Sequence, residues 1–244
     1  YGCIEQTINR FIPKLAILSL MKNQEYEKLI PDKLKLDVKD DIPEGIRKIE
    51  SGQNDDGTWG WWNGDRGNGY LTGYALFSLH YMKQNDYVIN NNTVQQGLDA
   101  VQRFFEDSGK SDNDELSYLV YIYALHQRWD HATFKRIAFD EKINPYQAAN
   151  LLKAVTIFSG SGKLQDFEAR EIKQAETILI KKIKESAGRD SGGVYWPETK
   201  DQVWSWPGGR SEITAHVLSA LVLSGEESSL ASQALATLAK TFNG

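Results

Sequence analysis

Three segments of the chain share one pattern: a Thr or Ser near the start, then aliphatic and aromatic residues at helical spacing. They are residues 71–79, 116–125 and 213–221, with Thr72, Ser117 and Thr214 at the equivalent position, and residues 144–155 are an irregular relative. Their starts are separated by one and then two units of about 45 residues, which is typical of repeated helix pairs. Because these segments are apolar on nearly every side, we expect them to be inner helices that are buried on most faces.

Amphipathic stretches separate the apolar segments; they are residues 44–51, 93–106 and 169–185. Each has an apolar stripe and a polar back, as expected of helices that cover a core from outside. Alternating inner and outer helices predict an all-α fold, an α/α toroid of about a dozen helices with terpenoid-cyclase-like architecture. A curved solenoid has the same local pattern. No strands are predicted, because no segment alternates with period two for long. We expect residues 1–244 to form a single domain.

Long connections rich in Gly, Trp and Asp lead into the inner helices, at residues 53–69 and 188–210. In a toroid all inner helices run the same way. We therefore expect residues 1–7, 53–69 and 188–212 to lie on one rim. Long loops gathered on one rim are where function is expected.

Charge and hydropathy argue against two kinds of partner. Twenty-eight basic and 33 acidic residues give a net charge of −5 with no basic stripe, which argues against nucleic acid. The longest apolar runs, residues 15–21 and 217–223, are far shorter than the roughly 20 residues of a membrane-spanning helix. Since position 1 is Tyr1 and the methionines are Met21 and Met82, the chain is expected to be either a processed chain or a domain cut from a longer protein. We expect a domain excised from a much larger multidomain protein.

The first residues carry the candidate chemistry. The chain begins Tyr-Gly-Cys-Ile-Glu-Gln-Thr, and Cys3 and Gln6 are about one helical turn apart, so their side chains can meet. A thiol held against a carboxamide carbon can displace ammonia and form an internal thioester. Such a bond acylates an amine or hydroxyl that reaches it, and the positive end of the following helix would stabilise the departing thiolate. The alternative for Cys3, the only cysteine of the chain, is a buried free thiol.

The motif Tyr-Gly-Cys-x-Glu-Gln-Thr before an inner helix resembles the thioester-containing domain of the α2-macroglobulin and complement family, in its bacterial α2-macroglobulin form. Residues 53–59, Gln-Asn-Asp-Asp-Gly-Thr-Trp, and residues 70–76, Tyr-Leu-Thr-Gly-Tyr-Ala-Leu, are similar to two further stretches of that family, in the same order. The first motif is specific, whereas the other two recur in α/α toroids generally. Together with the repeats, they extend the resemblance over the whole chain.

The resemblance implies that Cys3 and Gln6 are the thioester partners. Glu5 would be a neighbouring polar residue that either acts on the carbonyl or caps a helix start. It further implies a single-use covalent trap for proteases rather than an enzyme. We also expect no cofactor and no metal ion. The other partners would be the remaining macroglobulin domains of the parent chain, and the location would be extracytoplasmic, either periplasmic or at the cell surface.

The resemblance also bears on which nucleophile is captured. Complement members that prefer hydroxyls use a histidine from a loop downstream of the cysteine. The matching stretch here, residues 104–116, contains no histidine, and His126 lies at the far end of an inner helix, about ten residues or 15 Å away. We therefore predict direct attack by amines, mainly lysines of a trapped protease. Since the bond must be kept from water, we expect Tyr70 or a loop tryptophan to shield it.

Other chemistry-bearing residues have both a functional and a structural interpretation. The loop tryptophans, which are Trp59, Trp61, Trp62, Trp196, Trp204 and Trp206, could stack on carbohydrate but are expected to wedge repeat units together. His80, His126 and His216 are expected in the core or wall of the helices, and His131 in a turn. None has metal-ligand spacing with a third ligand. Residues 54–56 are expected to form an ordinary turn before Gly57 rather than a cation loop.

Two other function classes stay open. One is an α/α-toroid enzyme, either a terpenoid cyclase or a carbohydrate-active enzyme that would need two carboxylates across a cleft, supplied by Asp65, Glu198 or Asp201. Residues 37–41 lack the Asp-x-Asp-Asp pattern of such cyclases. The other class is a non-reactive protein-interaction toroid in which the thioester does not form.

Overall fold

The computed structural model describes residues 2–107, 111–162, 166–197, 209–226 and 229–243. Backbone contacts divide the chain into two compact units, Tyr1–Ser111 and Asp112–Gly244. Helices make up most of both units, and within the described ranges no helix is long and apolar enough to cross a membrane. Four residues singled out from the sequence lie outside the described ranges: Glu198, Asp201, Trp204 and Trp206.

Five helices lie in the described part of the first unit: α1 (Ile4–Met21), α2 (Gln24–Glu27), α3 (Asp32–Ser51), α4 (Gly69–Gln84) and α5 (Asn91–Glu106). α1 contacts both α3 and α4, and α4 also contacts α5. α4 is apolar nearly all round, whereas α5 has a single apolar face. α1 and α4 are therefore neighbouring inner helices, each covered by an outer partner.

The described part of the second unit contains six helices and a hairpin: α6 (Asn113–Leu125), α7 (His131–Ala138), α8 (Pro145–Ser159), α9 (Asp166–Glu185), β1 (Gly188–Asp190), β2 (Gly193–Tyr195), α10 (Arg210–Leu223) and α11 (Ser229–Asn243). α8 contacts both α6 and α10, while α7, α9 and α11 lie against α6, α8 and α10 in turn. Inner and outer helices thus alternate within each unit, as predicted. Closure into a toroid and a single domain over residues 1–244 stay predictions.

The expectation that the chain has no strands is wrong at one place. β1 and β2 form a two-stranded antiparallel sheet in which Arg189 pairs with Val194. Each strand has three residues, too few for a period-two pattern to stand out in the sequence. Gly193 has a φ of 125°, and a Cβ there would lie 2.4 Å from Thr237 Oγ1, so a glycine is required.

A buried tryptophan ties the long connection of the first unit to the helices on either side. Trp59 has no exposed surface, and its indole Nε1 donates a hydrogen bond to Ile49 O at 2.7 Å. Its backbone N–H donates to Thr72 Oγ1 at 3.1 Å. Thr72 is the polar residue that marks the start of this inner-helix pattern, and the hydrogen bond to Trp59 explains why a hydroxyl is needed there.

The second unit repeats this arrangement with a different loop length. Trp196 is fully buried, its indole Nε1 donates to Ile183 O at 2.8 Å, and its backbone N–H donates to Thr214 Oγ1 at 3.2 Å. The same three-way connection from outer helix to loop to inner helix confirms the predicted equivalence of Thr72 and Thr214. Trp59 and Trp196 therefore have the wedging role that was expected of the loop tryptophans.

Side chains satisfy free backbone N–H groups where the helices begin. The N-cap residues of α4 to α8 are Asn68, Asn90, Asp112, Asp130 and Asn144, and each accepts a hydrogen bond from the first turn. α1 differs, because its N-cap is Cys3. The candidate thiol is therefore positioned at the N-terminus of α1.

Candidate functional site

Cys3 lies at the positive end of α1. Its backbone is extended, with φ −65° and ψ 168°, and its Sγ accepts a hydrogen bond from Gln6 N at 3.4 Å. The residue is 6% exposed and its thiol is free. This contact with Cys3 is made by the Gln6 backbone, so the expected meeting of the two side chains stays a prediction. The helix dipole of α1 favours negative charge on the sulfur.

The side chain of Gln6 lies beside the backbone of Gly2. A Cβ at position 2 would be 3.3 Å from Gln6 Oε1 and 3.5 Å from Gln6 Cβ, so a larger residue would press on the Gln6 side chain. Gln6 itself is exposed to solvent. Gly2 therefore leaves room for a carboxamide that stays accessible from outside the helix.

Glu5 occupies the first turn of α1, and its two carboxylate oxygens have different neighbours. Oε2 is 3.8 Å from Cys3 Sγ, while Oε1 accepts a hydrogen bond from Asn9 Nδ2 at 2.5 Å. The N-cap of α1 is Cys3, so capping does not account for the place of Glu5. The carboxylate of Glu5 therefore lies beside the Cys3 thiol, and its role stays a prediction.

Tyr74 of the inner helix α4 completes this set of hydrogen bonds. Its hydroxyl donates to Asn9 Oδ1 at 2.6 Å. Burial raises the pKa of Tyr74 well above its ordinary value, and the negative charge of Glu5 raises this pKa further. The hydroxyl therefore keeps its proton at neutral pH and acts as the donor.

The loop of residues 53–69 lies against the start of α1. Ile4 N donates a hydrogen bond to Trp61 O at 3.0 Å, which confirms that residues 1–7 and this loop share one side of the first unit. Trp61 and Trp62 are 49% and 54% exposed. The expected position of residues 188–212 on the same rim stays a prediction, because that segment belongs to the second unit.

Residues 54–57 form a turn, as predicted. Asp56 Oδ1 accepts hydrogen bonds from the hydroxyl of Thr58 at 2.6 Å and from its backbone N–H at 3.0 Å, and the hydroxyl contributes most to lowering the pKa of Asp56.

Asp65, one of the three carboxylates considered for glycan hydrolysis, accepts from Trp62 N at 3.1 Å. Over the described ranges, no three His, Cys, Asp or Glu side chains are grouped as metal ligands.

The histidines have structural positions in their own units. His126 follows the last residue of α6 as its C-cap. His131 was expected in a turn, but it is the first residue of α7, and its Nε2 is 2.7 Å from Glu171 Oε2. His80 lies in α4 with a pKa lowered mainly by burial. His216 Nε2 is 2.7 Å from Asn150 Oδ1. Burial lowers the pKa of His216 well below its ordinary value.

A buried lysine lies beside His216. Lys153 Nζ is 3.2 Å from His216 Nδ1 and 5.2 Å from the centre of the Tyr121 ring. Burial lowers the pKa of Lys153 to about 7. Nothing in the repeat pattern of α8 distinguished this lysine from an exposed one.

The sequence and the fold of this chain are both similar to those of known proteins. Residues 1–110 match the family model of the A-macroglobulin TED domain. The resemblance predicted from the sequence is confirmed. The chain is 27% identical over 227 residues to an alpha-2-macroglobulin of Thermotoga maritima, a match that covers 82% of this chain. It spans only 13% of the length of that curated relative.

The fold of this chain is similar to that of part of several solved bacterial alpha-2-macroglobulins. One is Salmonella alpha-2-macroglobulin reacted with methylamine, at a TM-score of 0.73 and 20% identity, covering 100% of this chain and 15% of that one. Another is native alpha-2-macroglobulin from Escherichia coli from domain MG7 to the C-terminus, at 0.67 and 18%, covering 99% and 40%. The trypsin-activated Escherichia coli protein matches at 0.71 and 17%, covering 99% and 16%. At these identities the likeness shows the fold.

All of the contacts around Cys3 lie within the segment matched to the TED domain. Asn9 and Tyr74 were not among the site residues predicted from the sequence. Asn9 follows Glu5 by four residues, a spacing that brings side chains together on a helix, so this neighbour could have been found from the sequence. Tyr74 could not, because its contact with Asn9 depends on how α4 packs against α1.

Proposed function

We propose that this chain is the thioester domain of a bacterial α2-macroglobulin-like protease inhibitor, with an internal thioester between Cys3 and Gln6. The observation that carries the proposal is the Cys3 thiol at the N-terminus of α1, 3.4 Å from Gln6 N, within a TED-like segment. On this proposal the chain is a single-use trap that needs no cofactor. It acts outside the cytoplasm with the other macroglobulin domains of a longer protein.

The proposed bond forms without any external reactant. The Cys3 thiol gives up its proton, the sulfur attacks the side-chain carbonyl carbon of Gln6, and the amide nitrogen leaves as ammonia with the proton returned to it. Capture is the same exchange in the opposite direction. An incoming amine attacks the same carbon, an amide forms, and the sulfur leaves as thiolate, which the positive end of α1 stabilises until it takes up the proton that the amine loses.

Direct attack by amines is the capture reaction that the surroundings of Gln6 favour. His80 is the histidine of the first unit, and it lies six residues beyond Tyr74 along α4, about 9 Å farther along the axis. Tyr74 is linked through Asn9 to the first turn of α1, so His80 is displaced from Gln6. Lysines of an attacking protease are the proposed acceptors, and hydroxyls are poor ones.

The surface beside the proposed bond needs apolar cover. Trp61 and Trp62 are about half exposed and are held at the start of α1 by the hydrogen bond from Ile4 N to Trp61 O. Two exposed tryptophans on one loop are typical of a surface that contacts another protein. We propose that a neighbouring domain of the longer protein closes over these tryptophans and excludes water from the thioester.

The experiment is an intact-mass measurement on the longest natural protein that carries this chain. The wild type is expected to be lighter than its sequence mass by one ammonia, and the Cys3→Ser variant is expected to show no deficit. Activation with a protease in labelled methylamine should then place the label on Gln6, with far less label from glycerol.

Two results would count against the proposal. A wild type with its full sequence mass would show that no thioester forms, which favours the non-reactive interaction module. Efficient glycerol labelling would show that hydroxyls are captured, and loss of that labelling in a histidine-to-alanine variant would identify a catalytic histidine.

A further inference from the structure

The carboxylate of Glu5 is held from one side and left available on the other. Asn9 Nδ2 donates to Oε1 at 2.5 Å, whereas Oε2 lies 3.8 Å from Cys3 Sγ. We propose that Asn9 and Tyr74 are positioning residues that hold Glu5 as the proton acceptor for the Cys3 thiol. This inference rests on the proposed thioester function and assigns the residues that prepare its nucleophile.

Tyr74 determines which way the Asn9 amide points. The tyrosine hydroxyl donates to Asn9 Oδ1 at 2.6 Å, so the amide NH₂ group turns to the opposite side, where Glu5 Oε1 accepts from it. With the opposite amide orientation, two oxygen acceptors would face each other at Glu5. Tyr74 therefore donates to Asn9, and Asn9 donates to Glu5.

The tyrosine can only act as a donor while it is protonated. Burial raises the pKa of Tyr74 well above its ordinary value, so this condition holds at any physiological pH. Tyr74 also belongs to α4, whereas Glu5 and Asn9 belong to α1. The packing of α4 against α1 therefore sets the orientation of the Glu5 carboxylate.

The assigned step balances within the chain. Glu5 Oε2 accepts the proton of Cys3 Sγ–H, and the sulfur forms its bond to the side-chain carbonyl carbon of Gln6. As the C–N bond of the carboxamide breaks, the leaving nitrogen takes a proton from Glu5 and departs as ammonia. In the capture reaction Glu5 takes the proton of the attacking amine and delivers it to the released sulfur.

The test measures how fast Cys3 is alkylated in the longest natural protein that carries the chain, after methylamine has opened any thioester. The readout is the ratio of the alkylation rate at about pH 9 to that at about pH 7, followed on the Cys3 peptide by mass spectrometry. A change in access to Cys3 affects both rates equally and cancels in the ratio. A change in the charge held beside the sulfur does not cancel.

Glu5→Gln removes the charge, and the ratio is expected to fall by about twofold or more, because a carboxylate near a thiol disfavours the thiolate. Asn9→Leu and Tyr74→Phe should lower the ratio in the same direction. Neither should change it further in the Glu5→Gln background, since each acts through Glu5. The controls are Asn92→Leu and Tyr26→Phe, at exposed positions of the same unit, which should leave the ratio unchanged.

The ammonia deficit of the same proteins before methylamine treatment is the second readout. Glu5→Gln, Asn9→Leu and Tyr74→Phe are expected to reduce the fraction of molecules that show the deficit. If the wild type shows the deficit and Asn9→Leu and Tyr74→Phe change neither readout, the positioning inference is wrong. If the wild type shows no deficit, the proposed function fails, and the alkylation ratios alone decide whether Asn9 and Tyr74 hold Glu5 beside Cys3.

Discussion

Replacing Lys153 by Met is predicted to stabilise the chain and to remove part of the pH dependence of its stability. Lys153 is 6% exposed in α8, with its Nζ 3.2 Å from His216 Nδ1 and 5.2 Å from the centre of the Tyr121 ring. Burial lowers the pKa of Lys153 from 10.5 to about 7. Methionine has a similar length and no charge, so it can occupy the same space.

The sign follows from where the proton is bound. Between pH 7 and pH 10.5 the unfolded chain holds a proton on Lys153 that the folded chain releases, so this residue makes stability rise with pH across the window. Each pKa unit corresponds to about 1.4 kcal/mol, so the folded state loses about 4 to 5 kcal/mol at pH 7 but only about 2 kcal/mol at pH 9. The advantage of Lys153→Met over wild type should shrink by about 2 kcal/mol between these two pH values.

Urea unfolding of the 244-residue chain, followed by circular dichroism at both pH values, measures the difference. Lys181→Met is the matched control, because that lysine side chain is 72% exposed and its replacement should change stability little at either pH. An equal gain for Lys153→Met at the two pH values would refute the reasoning. A loss of stability at pH 7 would show that the ammonium is better solvated than its burial indicates.

Two further predictions concern the loop beside Cys3. Gly57→Ala should lower the melting temperature, because Gly57 has a φ of 80° and a Cβ there would lie 2.3 Å from Gln96 O; a loss above about 2 kcal/mol is expected. Gly64→Ala is the control, with a φ of 84° but no atom within 4 Å of the Cβ, so an equal loss would contradict the clash. Trp61→Ala combined with Trp62→Ala should speed spontaneous hydrolysis of the proposed thioester, measured as loss of methylamine labelling with time, and an unchanged rate would place the shielding elsewhere.

The part of the fold that the sequence predicts is the part set by local patterning. Apolar surface around a whole helix indicates burial on most sides, and this held for α4, α6 and α8. The equivalence of Thr72 and Thr214 was visible as a repeat, and their shared hydrogen bond to a tryptophan gives it a physical cause. The hairpin β1–β2 was missed, because three residues per strand carry too little pattern.

In the candidate site, too, some relations depend on local spacing and others on how the helices pack. A spacing of three residues at a helix start is enough to predict that the side chains of Cys3 and Gln6 can meet, because residues three apart lie on one face of a helix. That Glu5 turns one oxygen toward Cys3 depends on Asn9, which is still a local relation. The choice of that orientation comes from Tyr74, sixty-five residues after Asn9, and only the packing of α4 against α1 brings it there.

The burial of Lys153 could not be predicted from the sequence. In the sequence it is one lysine in an apolar helical segment, and a lysine on such a helix ordinarily reaches solvent with its charged end. Whether it does depends on the helices packed on both sides of α8, which here enclose its Nζ beside His216 and Tyr121. The sequence by itself predicted the helices, their repeat and the one-turn spacing of Cys3 and Gln6, since these depend on short-range geometry. The tertiary structure alone decided which charges are buried and which carboxylate oxygen faces the thiol, since solvation and orientation depend on neighbours distant in the chain.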